Sequence, residues 1–331
     1  MKKVIVISGV TGMTGNELAR QLLIKEYTII GFDNFFASSD ESIQDIMKSE
    51  KFHFFQYDLN SQQEMAQLKW FLKDNFKDES ELSFINCAAV VHTKHFYEID
   101  DTFETNVLGM QSFLNMAIDL GAKSYINCST SEVYSMQSYK DGGVKENDAI
   151  LLAVAEHSQR TSYATGKLLT EFFIKDAVDK SKIRGCSIRF ANVYSNDELY
   201  AEHIIPYIID TLSKTNKITL LENSKLNRRT FLHNYDSCSS VISLLESDQA
   251  LDGTIYNVGT TDEVTIIELV ELIAKKMNIK DLEITFDGFR ESDPERRLLN
   301  IEKIKAIANW KSIVTLEDGL DMCIKSKIAD V

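Results

Sequence analysis

The stretch "ISGVTGMTG", residues 7–15, sets Gly9, Gly12 and Gly15 three residues apart. An apolar run, "KVIVIS" (3–8), precedes it. "MTGNELARQLLIKE" (13–26) follows, with apolar residues at helical spacing. The chain has only 14 glycines in 331 residues, so three in one short turn call for a local cause. A glycine-rich turn between a buried strand and a helix lets backbone approach a pyrophosphate. The helix N-terminus behind it offers free N–H groups and partial positive charge. The plain alternative is a tight turn and nothing more.

Further along, strand-like and helix-like segments alternate. "TIIGFD" (28–33), "FHFFQYD" (52–58), "LSFINCAA" (82–89), "SYINCST" (124–130) and "CSIRFANVY" (186–194) read as strands. Residues 61–76, 101–121 and 162–180 read as helices between them. This βαβα alternation predicts an α/β fold: a Rossmann-type, doubly wound parallel sheet with helices on both faces. After about residue 195 the pattern loosens, with short strands at 217–222 and 282–286 and a helix at 265–277. No Pro/Gly linker divides the chain, which has two prolines, Pro206 and Pro294. The expected organisation is a dinucleotide-binding domain over 1–185 and, over 186–331, a smaller C-terminal α/β substrate lobe. Some later segments are expected to return to the first domain.

Composition narrows the function. The net charge of −14 speaks against a nucleic-acid surface and requires any anionic substrate to find a locally basic pocket. The five cysteines are scattered, odd in number and form no CxxC pair, so neither a disulfide framework nor a metal site is expected. No apolar stretch approaches the roughly 20 residues that span a bilayer. "MKKVIVISG" has too short an apolar run for a signal peptide, so no membrane partner and a cytoplasmic location are expected.

Asp33 ends the second strand about 20 residues beyond the first glycines, where a carboxylate can hold the ribose hydroxyls. It disfavours a 2′-phosphate, so NAD is expected over NADP. Asp58 ends the third strand, within reach of the adenine. Thr11 and Met13 in the glycine turn, Asn34 beside Asp33 and Leu59 beside Asp58 complete this candidate cofactor wall. "YATGK" sets Tyr163 and Lys167 four apart, on one helix face. A phenol with a pKa near ~10 is a poor base at neutral pH, and a nearby ammonium lowers that value. The pair can shuttle the proton of an alcohol while a nicotinamide takes the hydride.

The GxxGxxG spacing, with this pair, resembles the extended short-chain dehydrogenase/reductase family of nucleotide-sugar epimerases, dehydratases and decarboxylases, over nearly the whole chain. "CSTSEVYS" (128–135) resembles the family's Ser-Ser/Thr-x-x-Val-Tyr stretch, which implies that Thr130 binds the substrate C4 oxygen. Glu132 resembles the base of the dehydratases and the carboxylate of the UDP-glucuronate decarboxylase motif, implying removal of the C5 proton once C4 is a ketone. Ser131 stands where some dehydratases carry an acid. "INCAA" (85–89) implies a cofactor contact for Ala88 and Ala89, and "TNVLG" a supporting role for Asn106. "RFANVY" (189–194) implies a phosphate contact for Asn192, although Ser195 and Asn196 replace the usual Gly-Pro. "RRTFLHNYD" (228–236) implies a pyrophosphate clamp by Arg229. "SDPERRLLN" (292–300) resembles the decarboxylases' Asp-Pro-x-x-Arg-x-x-Asp, with Arg297 in register, Arg296 beside it and Asn300 in place of the acid. His92 and His95, in "VVHTKHF", are read as sugar-site residues rather than metal ligands.

The resemblance implies oxidation of a nucleotide-diphosphate sugar at C4 by bound NAD, followed by epimerisation, dehydration or decarboxylation. It also implies a homodimer paired through helices 101–119 and 162–178. Two alternatives stay open: an NAD-dependent dehydrogenase/reductase of a non-nucleotide alcohol, and a non-catalytic NAD-binding scaffold or sensor.

Overall fold

Strand β1 (Lys2–Ser8) alternates two cores along its length. Val4 and Val6 join one apolar cluster and Ile5 and Ile7 the other. A strand buried on both faces has to be apolar at every position, which is why "VIVI" shows no polar alternation. The computed structural model describes residues 2–76, 80–91, 98–135, 141–158, 161–198, 200–291 and 293–329.

Beside β1 lie β2 (Thr28–Asp33), β3 (Phe52–Gln56), β4 (Ser80–Asn86), β5 (Ser124–Thr130) and β6 (Arg184–Phe190). One late strand, β10 (Asp252–Val258), completes a seven-stranded sheet in the order β10-β6-β5-β4-β1-β2-β3. Every pairing in it is parallel. The order reverses between β1 and β4, and a crevice opens there at the strands' C-terminal ends. One face is covered by α1 (Met13–Ile24) and α7 (Asn234–Leu245), the other by α2 (Gln62–Phe76), α4 (Met110–Asp119) and α5 (Thr161–Asp179).

The second lobe starts with β7 (Asn192–Tyr194) and α6 (Ile204–Leu212), followed by β8 (Lys217–Leu220) and β9 (Arg228–His233). After β10 come β11 (Glu263–Thr265), α8 (Ile266–Lys276), β12 (Glu283–Phe286), β13 (Arg296–Arg297), α9 (Glu302–Ala308) and α10 (Leu316–Ala329). Strand β9 pairs with β7, β11 and β13, and β12 pairs with β8. Ile205, Ile208, Leu269, Ile273 and Leu320 form this lobe's own core. The expected boundary at 185/186 falls inside β6, and α7 and β10 are later segments packed in the first lobe.

Two elements differ from their sequence pattern. The expected strand 186–194 is two strands, because β6 pairs in the main sheet while Asn192–Tyr194 pairs with β9 in the other. The expected helix 101–121 is α3 (Ile99–Phe103), a π-turn (Glu104–Gly109) and α4. The wider turn brings Asn106, which is fully buried, inward. Its Oδ1 accepts from Val90 N at 2.7 Å and its Nδ2 donates to Val90 O at 3.1 Å.

Candidate active site

The glycine turn is built by lack of space. Gly9 has φ +69°, and a Cβ there would lie 2.7 Å from Ala88 Cα. A Cβ on Gly15 would overlap the Gly9 carbonyl oxygen. Both positions therefore exclude side chains, and the N–H groups that open α1 are bared to the crevice. No acidic residue occupies the first turn of α1. A cavity of ≈ 800 Å³ opens over this turn, walled by Gly9, Thr11, Gly12, Met13 and Gly15 and by Asp33, Asn34, Asp58, Leu59, Ala88 and Ala89. Such a cradle fits the pyrophosphate of a dinucleotide.

Asp33 sits at the edge of that cavity. Its Oδ2 accepts from Thr11 N at 3.2 Å and its Oδ1 from Phe35 N at 3.0 Å. Asp58 accepts from Asn34 Nδ2 at 3.1 Å, which joins the two strand ends. Asn106 does not wall the cavity; it holds the Val90 backbone that does. Sequence patterns did not point to the opposite wall. Asn196, Asp197, Glu198, His203 and, on α10, Lys327 face the cavity from the second lobe.

Thr130, Tyr163 and Lys167 lie one strand over, at the end of β5 and on the α5 face that packs against it. Tyr163 and Lys167 are both buried. Lys167 Nζ donates to Cys128 O at 2.8 Å, and burial lowers its pKa. Thr130 Oγ1 accepts from Glu132 N at 3.1 Å and caps the 3₁₀ turn Ser131–Tyr134, leaving the hydroxyl proton to donate. Ser131 is buried within that turn. Beneath them Arg189 holds Glu171, with Nη2 at 2.6 Å from Oε2, and donates to Tyr134 Oη at 2.7 Å. Ser129 Oγ donates to Glu171 Oε1 at 2.6 Å. Burial opposes the Arg189 charge, and Glu171 more than offsets it, raising its pKa.

The second lobe brings its arginines to the same place. Adjacent residues on a strand point to opposite faces, and β13 separates the two candidates accordingly. Arg296 turns to Glu263, with Nε at 2.7 Å from Oε1, and to Asp141. Arg297 lies in register with Arg229. It grips Glu132 through both terminal nitrogens, Nη2 at 3.0 Å from Oε2. Asp293 joins the two guanidinium groups: its Oδ1 is 2.9 Å from Arg229 Nη2 and 4.0 Å from Arg297 Nη2. Its Oδ2 accepts from Asn227 Nδ2 at 2.7 Å. Burial and the Arg297 charge pull the Arg229 pKa down to about 10, against the pull of Asp293 and Glu132. Asp293 stands in the quoted Asp-Pro motif, and its role became visible only through these contacts. Asn192 Nδ2 donates to Thr230 O at 3.1 Å, stitching β7 to β9. His92 and His95 lie outside the described residues. Among the described residues no cluster of three or more metal-ligating side chains occurs, and no helix is long and apolar enough to cross a membrane.

Known proteins share this organisation. A UDP-glucuronic acid decarboxylase of Arabidopsis thaliana is 24% identical over 321 residues, covering 96% of this chain and 68% of that protein. The mouse dTDP-D-glucose 4,6-dehydratase is 25% identical, covering 98% and 88%. The structure of a Bacillus cereus UDP-glucuronic acid 4-epimerase, in complex with UDP-glucuronic acid and NAD, superposes with a TM-score of 0.85 at 20% identity, covering 99% of this chain and 100% of that one. Residues 5–259 match the NAD dependent epimerase/dehydratase family, and the chain belongs to that family.

Proposed function

We propose that the chain oxidises a nucleotide-diphosphate sugar at C4 with bound NAD and completes its reaction through the 4-ketone. The observation that carries this is the convergence of Arg229 and Arg297 on Asp293 beside Glu132, at the strand end that bears Thr130. Phosphate oxygens would compete with Asp293 and Glu132 for these two guanidinium groups, whereas an alcohol without phosphates would make no use of them. NAD suits the cradle better than a 2′-phosphorylated dinucleotide, because the Asp33 carboxylate stands at the end of β2, where it would hold ribose hydroxyls and repel a 2′-phosphate.

Bound NAD supplies a hydride acceptor. Tyr163 takes the proton of the C4 hydroxyl while the Thr130 hydroxyl holds the C4 oxygen. The buried Lys167 ammonium provides the positive charge that favours the phenolate. Arg229 and Arg297 hold the substrate's anionic groups, and Asp293 keeps the two cations together until it arrives. Glu132, beside Thr130, removes the proton at C5, which the ketone acidifies. That role favours dehydration over bare inversion at C4; decarboxylation would break the C5–C6 bond and needs no removal of the C5 proton.

A second copy of the chain is the proposed partner. Phe103, Leu108, Leu169 and Phe172, on α3, the π-turn and α5, are each at least 41% exposed, and α3 packs on α5. Such a patch suits a symmetric four-helix contact. Light scattering of Phe172→Glu should report a monomer where the parent chain is a dimer; a monomeric parent would end the proposal.

The decisive experiment incubates the full chain and trace NAD with UDP-, GDP-, CDP- and dTDP-sugars and weighs the products. Loss of water, loss of carbon dioxide, or unchanged mass with inversion distinguishes the three outcomes. A chain that binds NAD and consumes no nucleotide sugar would overturn the assignment.

A further inference from the structure

Two thiols face each other where β4 and β5 run out. The parallel register that pairs Asn86 with Asn127 sets Cys87 opposite Cys128, and their Sγ atoms are 3.9 Å apart. Both residues are half-buried, whereas Cys186, Cys238 and Cys323 are buried. Cys87 also walls the cavity over the glycine turn. A disulfide needs sulfurs about 2.05 Å apart on Cα atoms roughly 4.4–6.8 Å apart. Neighbouring strands lie about 4.8 Å apart, so the backbone spacing is already suitable and side-chain rotation supplies most of the remaining approach.

The surroundings divide the labour. The hydrogen bond between the two sulfurs and the Lys167 ammonium, which sits at the Cys128 carbonyl, lower the Cys128 pKa against the effect of burial. The Cys87 pKa is raised by that same hydrogen bond and by burial. Two sulfurs in contact beside a buried ammonium suit a thiolate that attacks and a second thiol that resolves it.

We propose that Cys87 and Cys128 form a peroxide-responsive dithiol, a modification site whose closure to a disulfide weakens dinucleotide binding in the adjoining cavity. The Cys128 thiolate attacks one peroxide oxygen. The O–O bond breaks, hydroxide leaves and takes the thiol's proton as water, and a sulfenic acid remains. Cys87 sulfur then attacks the Cys128 sulfur. The S–O bond breaks, the S–S bond forms, and a second water leaves with the Cys87 proton. Two thiols and one hydrogen peroxide give one disulfide and two waters.

The glycine turn has no slack to absorb that movement. Cys87 N donates to Ser8 O at 3.1 Å, and the space beside Gly9 is filled by the backbone of Cys87 and Ala88. A pull on Cys87 therefore displaces the wall against which the turn is packed. The effect on binding rests on the proposed NAD function; formation of the disulfide does not.

The test oxidises the full chain with hydrogen peroxide, alkylates it, digests it and maps the peptides, while NAD affinity is measured before and after. The expected result is a linked Cys87–Cys128 peptide, a weakening of NAD binding by about 5- to 100-fold, and reversal of both by dithiothreitol. The linked peptide should be absent from Cys87→Ser. A link through another cysteine, or only singly oxidised thiols, overturns the dithiol. A linked peptide with unchanged NAD affinity overturns its effect on the cavity. A reduced chain that binds no NAD counts against the cofactor assignment, while the peptide map still decides the dithiol.

Discussion

The two halves of the candidate active site are made in opposite ways. The floor of the candidate cofactor cradle comes from one short stretch of chain and works by removing side chains: Gly9 and Gly15 have no room for a Cβ. The charged cluster facing it works by adding side chains, Glu132, Arg229, Asp293 and Arg297, drawn from three distant segments and both lobes. A backbone cradle is specified locally and tolerates little change. A cluster of opposed charges depends on how the lobes dock.

The largest expected effect lies at Tyr163, outside both halves, on α5. Tyr163→Phe should still bind NAD and lose turnover by about 10²- to 10⁴-fold, the usual contribution of a positioned acid–base group. Unchanged turnover, measured under saturating substrate, would remove the chemical link between cradle and cluster.

The cluster itself is broken next. Arg297→Met leaves Glu132 and Asp293 without that cation in a largely buried setting, and urea unfolding should show a loss of about 2–4 kcal/mol. Adding Glu132→Gln should recover part of that loss, and additive effects would show the contact to be idle. Glu132→Gln alone should retain C4 oxidation and abolish solvent-deuterium incorporation at C5; continued incorporation assigns the proton transfer elsewhere.

On the cradle side, Asn106→Ala strips the Val90 amide and carbonyl of their partners and should cost about 1–3 kcal/mol. NAD affinity should fall with it, since Val90 walls the cavity. Intact affinity in a destabilised variant would make Asn106 a residue of the fold alone.

The smallest effect is a slope. Burial lowers the His233 pKa below its ordinary 6.5, against the pull of Asp236. The unfolded chain then binds the proton more readily, so this residue makes stability fall as the pH drops through about 6.5. Unfolding midpoints of His233→Gln should depend less on pH across that window; a steeper dependence would reverse the sign.

Much of the cradle was legible because it is local. The glycines, Asp33 and Asp58 lie at or just beyond strand ends that short apolar runs and turn chemistry mark in the sequence, and the alternation of strands and helices fixes which ends gather at the crevice. Tyr163 and Lys167 were legible for a similar reason, since one helical turn puts both on one face. The Asp-Pro-x-x-Arg spacing favoured Arg297 over Arg296, but it did not say what either side chain meets. A two-residue strand sends adjacent side chains to opposite faces, and only its pairing with β9 says which one joins Arg229.

The sequence by itself determined the parallel sheet, the glycine turn and the Tyr163–Lys167 pairing on one helix face, because each rests on residues a turn or a strand apart, where covalent geometry sets the distances. Tertiary structure alone decided that Asp293 joins two arginines, that Glu132 is held by one of them, and that Cys87 lies against Cys128. Those contacts span up to 165 residues of chain, and their distances follow from strand order and lobe docking, which local periodicity does not encode.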